Sequence, residues 1–317
     1  MKAAVYTKYG PPEVLQLREV PAPTPRGNEI LVRVRASTVT SGTIWARSGR
    51  HPTPGFSLLL RLAFGIRAPR RQILSYELAG EVEAVGGDVT RFAVGDRVYG
   101  TTTGLAAGAY AEYVCVPEEW RQGVIAKMPA EISYAEAAAV PIGAMTALHL
   151  LGDAADDGDG QRVLIYGASG SVGSYAVQLA LGRGTTVTAV CGPAHVDLVR
   201  SIGAAEVIDY TAGDFTRRGD EYDLIFDAVG KISRSQVAGL LAKGGRYRSF
   251  KSPTSERAEY LAQPSALLAG GELRALIDRT YPLEEIAEAH RYVELGHKGG
   301  NVAIEIGGEA ARYASSR

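Results

Sequence analysis

A glycine-rich turn that follows an apolar run constrains this chain more than any other feature. The stretch VLIYGASGSVGSYAVQLALG covers residues 163–182. Val163 to Tyr166 form a continuous apolar run with β-branched members, which predicts a strand buried on both faces. From Val172 to Leu181 apolar residues recur at spacings of three and four, which predicts a helix with one buried face. Residues 167–171 are therefore expected to form a strand-to-helix turn.

The turn has the chemistry of an anion site. The N–H groups in the first turn of a helix have no intrahelical acceptor, and the positive end of the helix dipole favours a phosphate. Gly167 permits a tight turn, Gly170 lets a diphosphate approach the backbone, and Gly173 lets the helix lie close to the strand. The pattern is G-x-x-G-x-x-G, with Ser169 in place of the usual second glycine. A tight turn that binds no ligand is the alternative.

Length and composition limit the class of protein. A chain of 317 residues with 46% apolar residues can bury the cores of two domains. Its formal net charge of −1 gives no basic surplus, so no nucleic-acid partner is expected. Cys115 and Cys191 predict no disulfide framework, and the amino terminus lacks the apolar region of a signal peptide. These features predict a cytoplasmic protein.

An apolar segment at residues 55–74 is interrupted by Arg61 and Arg67. It is too short and too charged to span a bilayer. Arg70 and Arg71 would let it touch a membrane surface, but a lid or short helix over an apolar cleft is the preferred interpretation. No membrane partner is therefore expected.

The residue pattern divides the chain into two regions. Residues 1–122 are predicted to form strands and turns, because apolar and polar residues alternate in segments such as EILVRVRAST. From residue 129 helices and strands alternate, which predicts a parallel sheet with right-handed crossovers. The closing strand, 301–306, is expected to return to the first region. We predict an α/β fold with a β-rich domain at 1–122 and 265–317, and a doubly wound parallel-sheet domain at 123–264.

Ligands of such a sheet bind at the carboxyl ends of its strands. Gly167, Cys191, Tyr210 and Asp227 each end or follow a predicted strand. We therefore expect these four residues to gather at one edge of the sheet.

The order of several motifs identifies a family resemblance. They are AGEVEAVGGDVTRFAVGDRVYG, GAYAEYV, AAAVPIGAMTALHLL, VLIYGASGSVGSYAVQLA, SIGAAEVIDY and PLEEIAEAHRYVELGHKGGNVAIEI. With these motifs the chain from Met1 to Ile306 resembles the medium-chain dehydrogenase/reductase superfamily, and within it the zinc-independent quinone-oxidoreductase-like branch. The resemblance implies a GroES-like catalytic domain, a Rossmann domain, and a nicotinamide cofactor in the cleft between them.

Two segments distinguish zinc-dependent members of this superfamily from the others. Those members have a Cys in the segment that matches TVTSGTIWARSG and a His in the segment that matches SYELAG. This chain has Thr40, Ser41 and Thr43 in the first segment and Tyr76 in the second. No metal site is expected, because neither cysteine falls where the family places a ligand.

The resemblance also implies cofactor contacts. Thr146 matches a threonine at the nicotinamide end, and Tyr210 matches a tyrosine beside the adenine ribose; helix or strand-end packing is the alternative for each. Asn301 stands where many relatives have a lysine near the cofactor, and the start of a strand is the alternative for this residue. The full set of candidate cofactor-binding residues is Thr146, Gly167, Ala168, Ser169, Gly170, Ser171, Val172, Gly173, Cys191, Gly192, His195, Tyr210, Asp227, Val229, Gly230 and Asn301.

The strand end near residue 190 bears on the choice of cofactor. In a Rossmann fold an acidic residue about twenty positions past the glycine turn binds the ribose hydroxyls of NAD and repels the extra phosphate of NADP. Here residues 191–195 are CGPAH, with no carboxylate. NADPH is therefore expected to bind in preference to NADH.

A nicotinamide cofactor without a metal suits hydride transfer to a quinone or an α,β-unsaturated carbonyl compound. Thr40, Thr43 and Tyr76 are the candidate catalytic donors to the carbonyl oxygen, with ordinary strand or loop hydrogen bonding as the alternative for each. An NAD(P)-dependent alcohol dehydrogenase is one rival, although no zinc or base is evident. A non-catalytic nucleotide-binding or sensor protein is another rival. Close relatives have an acidic residue at the position of Thr43, and this chain has lost it.

The segment after Gly245 bears on assembly. It is shorter than the matching stretch of the family, which supplies an edge strand used in dimer contact. We expect a small-molecule substrate and a homodimer, with the dimer contact weakened if this segment is truly short.

Overall fold

The structure of this protein is a computed structural model that describes residues 1–53, 55–102, 107–120, 123–152, 160–252 and 258–307, with backbone alone at 258 and 259. The chain divides into two compact units, Met1–Pro141 with Ile277–Arg317, and Ile142–Leu276. Each unit has its own sheet.

The strands, in chain order, are β1 (Lys2–Val5), β2 (Gln16–Glu19), β3 (Glu29–Thr38), β4 (Glu77–Val85), β5 (Arg97–Thr101), β6 (Tyr113–Pro117), β7 (Ile125–Lys127), β8 (Arg162–Tyr166), β9 (Thr186–Cys191), β10 (Glu206–Asp209), β11 (Tyr222–Asp227), β12 (Leu241–Ser249), β13 (Ile277–Pro282) and β14 (Asn301–Glu305). The helices are α1 (Ser41–Ser48), α2 (Phe56–Phe64), α3 (Tyr134–Ala139), α4 (Pro141–Leu151), α5 (Ser171–Leu181), α6 (Val196–Ser201), α7 (Ala258–Ala269) and α8 (Ile286–Glu294).

The main sheet of the first unit has the order β13-β14-β3-β4-β5-β7, and β6 also pairs with β3. Ile30, Val32 and Val34 of β3 are buried, in the alternation that the sequence predicts. β14 pairs antiparallel with β3, with Ala303 opposite Thr38. The prediction that the closing strand returns to the first sheet is therefore confirmed.

The second unit contains a parallel sheet in the order β10-β9-β8-β11-β12. Val163, Leu164 and Ile165 of β8 are fully buried, as the apolar run predicts. From β8 the chain builds the sheet first through β9 and β10, and then on the other side through β11 and β12. The carboxyl ends of β8 and β11 thus lie at the switch point where such sheets bind ligands. The predicted α/β fold class is confirmed.

The division between the units falls later in the sequence than the predicted boundaries at 122/123 and 264/265, and residues 121 and 122 lie outside the described ranges. The reason lies in α3, whose Ala137, Ala138 and Ala139 are fully buried. This short helix packs against β3 and β4 and so belongs to the first unit.

Helix α2 occupies the apolar segment for which the sequence predicts a lid or short helix. In the ranges that the structure describes, no helix has the length and apolar character needed to cross a bilayer.

Candidate functional site

The turn after β8 depends on two glycines for steric reasons. Gly167 has φ +79°, and a Cβ at this position would lie 2.0 Å from Cγ2 of Val229. A Cβ on Gly173 would lie 2.1 Å from the carbonyl oxygen of Gly167. A side chain at either position would push the turn away from β8 or from the loop after β11.

Gly170 differs from these two glycines. A Cβ at this position would approach only the carbonyl oxygen of Gly167, at 3.6 Å, which is an ordinary contact. The turn itself therefore does not need a glycine here. Gly170 is the N-cap of α5 and supplies no side-chain hydrogen bond to the helix. The absence of a side chain leaves open space in front of the first N–H groups of α5, as a phosphate site requires.

Helix α4 packs closely against the first turns of α5. A Cβ on Gly143 would lie 2.5 Å from Oγ of Ser171 and 2.8 Å from Cε2 of Tyr175. Thr146 is half-buried and stands three positions after Gly143, so both lie on one face of α4. The fold thus brings the predicted Thr146 to the side of α4 that faces the glycine turn.

Strand register gathers the predicted strand-end residues. Tyr166 lies opposite Val190 on one side and Asp227 on the other, and Asp209 lies opposite Cys191. The main-chain N–H groups of Gly167 and Ala168 donate to the carbonyl oxygen of Val190, at 2.9 and 3.1 Å. The carboxyl ends of four neighbouring strands therefore form one edge that contains the glycine turn.

Asp227 organises the loop after β11. Its fully buried carboxylate accepts hydrogen bonds from the N–H groups of Val229, Gly230 and Ile232, at 3.1, 2.8 and 3.2 Å. Charge-assisted bonds of this kind fix a loop firmly. Asp227 thus shapes the loop with its side chain, and the half-exposed Val229 presents its methyl groups to Gly167.

The end of β9 forms a second open position. Gly192 lies beside Tyr210, because a Cβ on Gly192 would approach the phenolic oxygen at 3.2 Å. The Tyr210 side chain is 46% exposed, and its ring centroid lies 6.3 Å from that of Tyr166. His195 begins the short helix α6, and its N–H donates to the carbonyl oxygen of Gly192. Cys191 is buried, and burial raises the pKa of its thiol to about 11, so the thiol is protonated at neutral pH.

A carboxylate that no sequence motif indicates stands beside this position. Asp209 ends β10 and lies opposite Cys191. In the sequence it comes well after the position, about twenty residues past the glycine turn, where a Rossmann fold that binds NAD has its acidic residue. Its Oδ1 accepts hydrogen bonds from the N–H and the hydroxyl of Thr211, both at 2.8 Å. Strand pairing alone brings this charge near Gly192, so the sequence pattern gave no signal for it.

In the first unit, Thr40 and Tyr76 lie close together around Gly42. A Cβ on Gly42 would lie 3.5 Å from Oγ1 of Thr40 and 3.9 Å from Cε2 of Tyr76. Burial raises the pKa of Tyr76 well above its usual value, so its hydroxyl remains a hydrogen-bond donor at any physiological pH. The preceding residue, Ser75, has φ +74°, a strained conformation for a residue with a side chain.

The structure gives Thr43 a different part from the predicted one. Thr40 and Thr43 form a reciprocal capping box at the start of α1: each hydroxyl oxygen accepts the other residue's N–H, at 3.2 and 3.1 Å. The Thr43 hydroxyl also donates to the carbonyl oxygen of Thr40, at 2.8 Å, and the side chain is fully buried. Its donor is therefore already used by the helix cap.

A buried polar cluster contacts the chain just before α1. The Tyr110 hydroxyl donates to the carbonyl oxygen of Thr38, at 2.9 Å, and lies 3.1 Å from Nε2 of His290. Tyr110 and His290 are fully buried. They stand 180 positions apart in the chain, so no local motif indicates that they meet.

Asn301 is buried at the start of β14, in the first unit. Lys298, three positions earlier, is half-buried, and its ammonium group donates to the carbonyl oxygen of Gly300. Burial lowers the pKa of this lysine to about 8, an effect opposed by the carboxylates of Glu77 and Asp278. Among the residues that the structure describes, no three His, Cys, Asp or Glu side chains are close enough to hold a metal ion together.

Comparisons with known proteins agree with this architecture. The family model described as the alcohol dehydrogenase GroES-like domain matches residues 26–130, and two models described as zinc-binding dehydrogenase match residues 171–270 and 248–304. The chloroplast envelope quinone oxidoreductase homolog of Arabidopsis thaliana is 30% identical, over 96% of this chain and 98% of that protein. The quinone oxidoreductase of Pseudomonas aeruginosa is 31% identical, over 96% and 99%.

A solved structure is similar over the same extent. The quinone oxidoreductase from Coxiella burnetii superposes with a TM-score of 0.85 and 28% identity, over 97% of this chain and 99% of that chain. Fold, glycine turn and sequence similarity therefore agree. The chain belongs to the medium-chain dehydrogenase/reductase superfamily, as a quinone-oxidoreductase-like oxidoreductase.

Proposed function

We propose that this protein transfers a hydride from NADPH to a quinone or to the double bond of an α,β-unsaturated carbonyl compound, without zinc. The observation that carries the proposal is the open N-terminus of α5 at Gly170, at the switch point of a parallel sheet. The names of the similar proteins support the class of substrate.

The residues at the carboxyl edge of the second sheet fit a dinucleotide. The N–H groups of Ser171 and Val172 would hold the diphosphate, because Gly170 leaves them open and the helix dipole favours an anion. The exposed ring of Tyr210 offers a face for the adenine. Ala168, Ser169, Gly192, Val229 and Gly230 would complete the walls of the site, with Thr146 at the nicotinamide end. When bound, the reduced nicotinamide supplies a hydride for an electrophilic carbon.

Thr40 and Tyr76 are the proposed donors to the substrate's carbonyl oxygen. Hydride addition to a quinone or an enone leaves negative charge on that oxygen, and fixed O–H donors stabilise it. The Tyr76 proton is held tightly because burial raises its pKa, so Tyr76 stabilises the charge through a hydrogen bond without giving up its proton. Since the Thr43 hydroxyl is used in the helix cap, Thr43 acts by positioning Thr40.

Zinc independence is supported by the donor set at the relevant positions. The segment from Thr38 to Gly49 contains no cysteine, and Tyr76 occupies the position of the histidine in zinc-dependent relatives. Hydroxyl groups are poor ligands for Zn²⁺, which prefers thiolate, imidazole and carboxylate. Elemental analysis of the pure protein is expected to give far less than one zinc per chain, and activity is expected to survive a chelator.

The experiment that tests the reaction follows the loss of NADPH absorbance with a panel of quinones, enones and alcohols. We expect turnover of a quinone or enone and no oxidation of alcohols with NADP⁺. Tyr76→Phe is expected to lower kcat/KM about tenfold or more, with little change in the Kd for NADPH. Tyr6→Phe is the matched control, because it removes a phenolic oxygen that is also buried and has no hydrogen-bond partner among the described residues. NADPH binding without turnover of any acceptor would favour a sensor protein instead.

The preference for NADPH is supported by the stretch 191–195, which carries no carboxylate. Dissociation constants for NADPH and NADH, measured in one buffer, are expected to differ by about tenfold to a hundredfold, as a partly exposed charge contact would give. Equal constants, or tighter binding of NADH, would contradict this preference.

We also propose a homodimer in a reducing cytosolic setting. Both cysteines are free thiols, which agrees with such a compartment. Among the described strands, β12 lies at one end of the second sheet, and an edge strand of this kind can pair with a second copy. Light scattering that gives a monomer mass at all practical concentrations would overturn the dimer.

A further inference from the structure

Helix α2 and the loop after it expose more apolar surface than any other stretch that the structure describes. Phe56, Leu58, Leu59, Leu62 and Ile66 have exposed fractions of 45, 64, 57, 48 and 58%. Within the described ranges eleven large hydrophobic side chains are exposed, and five of them lie in these eleven residues. Singly exposed hydrophobic residues are common on protein surfaces, but a contiguous group marks an interaction site.

Three of the exposed residues, Leu58, Leu59 and Leu62, form the outer face of the helix. Leu60 is buried and Phe64 packs against the core, so α2 already has an inner apolar face. Leu58, Leu59 and Leu62 stand three and four positions apart on the opposite side. A surface helix normally carries polar residues there. The outer apolar face is therefore additional to what folding requires.

The stretch of sequence that contains this helix carries charge of one sign only. Residues 30–76 contain no Asp or Glu, whereas the whole chain has a net charge of −1. Arg47 is buried in a pair with Glu294, and Arg61 lies over the ring of Tyr9, with its Nε donating to the carbonyl oxygen of Gly49. Four further arginines are exposed, namely Arg50, Arg67, Arg70 and Arg71. Exposed apolar and cationic groups are thus combined with no nearby acidic residue in the sequence.

We propose that the outer face of α2, with these exposed arginines, docks on the surface of an anionic phospholipid bilayer. An interfacial helix lies in the plane of the membrane with its apolar face among the acyl chains and its basic residues at the head groups. The nine residues of α2 are too few to cross the bilayer, but its outer face is long enough to insert the side chains of Leu58, Leu59 and Leu62. No membrane partner is expected from the sequence alone, because a lid or short helix over an apolar cleft would keep its apolar face covered.

Two other occupants fit the surface less well. If a second copy of the protein docked through the same face, its four exposed arginines would lie against the four of the first copy. These like charges would repel each other. An acidic peptide helix would need a groove to receive it, whereas here the leucines stand on the outside of a helix. A bilayer accepts a protruding apolar face and supplies the negative charge.

The test measures sedimentation of the full-length protein with vesicles. Vesicles of phosphatidylcholine that contain phosphatidylserine are expected to bind the protein, and binding is expected to weaken at high salt. Vesicles of phosphatidylcholine alone are expected to bind at least about tenfold more weakly. Leu59→Ser with Leu62→Ser, and separately Arg70→Gln with Arg71→Gln, are each expected to weaken binding about tenfold or more.

Matched controls make the same chemical changes elsewhere. Val94→Ser with Leu295→Ser removes two apolar side chains that are 65 and 67% exposed. Arg234→Gln with Lys243→Gln removes two exposed positive charges. Both control pairs are expected to bind the vesicles like the parent. Circular dichroism and the thermal midpoint confirm that every variant is folded.

Three outcomes overturn the proposal. If only the arginine variants weaken binding, the protein adsorbs by charge and α2 does not insert. If the parent binds no vesicles and light scattering shows that the leucine variants dissociate a dimer, the face joins two copies. If the parent binds no vesicles and its mass is unchanged, the face serves a lid or a protein partner.

Discussion

At the scale of single residues, the glycines of the turn lack a side chain for two different reasons. Gly167 and Gly173 are needed by the fold, since a Cβ at either position would overlap neighbouring atoms. Gly170 has free space around it, so its lack of a side chain matters only when something approaches from outside. A substitution at Gly170 can therefore test the proposed ligand binding apart from the demands of the fold at Gly167 and Gly173.

This separation gives a test of the phosphate site. Gly170→Ala is expected to leave the thermal midpoint nearly unchanged, because the new methyl group makes only an ordinary contact at 3.6 Å. The same methyl group blocks the approach of a diphosphate to the backbone, so the Kd for NADPH is expected to rise about tenfold or more. Calorimetric titration measures the affinity. The control is Gly213→Ala, whose Cβ has no neighbour within 4 Å and which lies away from the turn. An unchanged affinity in Gly170→Ala would place the diphosphate elsewhere.

Asp209 offers a second test, of cofactor choice. Its carboxylate lies beside the end of β9, where it would oppose the extra phosphate of the proposed NADPH. Asp209→Asn keeps an oxygen that can accept the Thr211 hydrogen bonds. It is expected to tighten NADPH about fivefold, corresponding to about 1 kcal/mol for one partly solvated charge, and to leave NADH unchanged. Equal effects on both cofactors would show that the ribose phosphate lies away from β10.

At the scale of secondary-structure elements, α1 depends on its capping box. Loss of a cap costs about 1 kcal/mol. Thr43→Val keeps the shape of the side chain but removes the hydroxyl that binds both the N–H and the carbonyl group of Thr40. It is expected to lower the free energy of unfolding by about 1–2 kcal/mol and to reduce kcat/KM, because Thr40 loses its support. Thr43→Ser keeps the hydroxyl and is expected to retain most of the parent's free energy of unfolding and kcat/KM. Urea unfolding and steady-state kinetics measure the two quantities. Equal losses in the two variants would contradict a role for the hydroxyl.

Elements defined by local pattern could be predicted from the sequence, and those defined by distant contacts could not. The apolar run of β8 and the spacing in α5 indicate their conformation because each element buries a known face. The capping role of Thr43 was missed because a hydroxyl near a site suits both a cap and a substrate contact. The exposure of Leu58, Leu59 and Leu62 could not be foreseen, since sequence alone does not show which apolar faces find partners.

At the scale of the whole molecule, the two units follow from the two hydrophobic patterns, but their boundaries do not. The alanines of α3 continue the helical pattern that begins the second region, yet they pack on β3 and β4. A helix of small residues fits either sheet, so composition does not decide which unit it joins. The buried contact of Tyr110 with His290 likewise arises only when residues 180 positions apart meet within one unit.

The burial of His290 makes the stability of the protein depend on pH. Burial, and then the nearby guanidinium group of Arg47, lower the pKa of His290 to about 3. Its Nε2 faces the Tyr110 hydroxyl, and its Nδ1 has no hydrogen-bond partner among the described residues. In the unfolded chain a histidine has a pKa of about 6.5. The unfolded state therefore binds this proton first, so the contribution of His290 to stability is complete above pH 6.5 and decreases as the pH falls towards 3.

His290→Gln tests this dependence. By pH 5 the parent is expected to have lost about 2 kcal/mol of its free energy of unfolding through His290, from linkage between pKa values of about 6.5 and 3. His290→Gln is expected to be less stable than the parent at pH 7 and to change much less between pH 7 and 5, where few carboxylates titrate. Tyr110→Phe removes the hydrogen bond but leaves His290 buried, so it is expected to keep the slope of the parent. Urea unfolding at several pH values gives the free energy of unfolding of all three proteins. If this free energy changed with pH equally in the parent and in His290→Gln, the folded protein would accept the His290 proton as readily as the unfolded chain does.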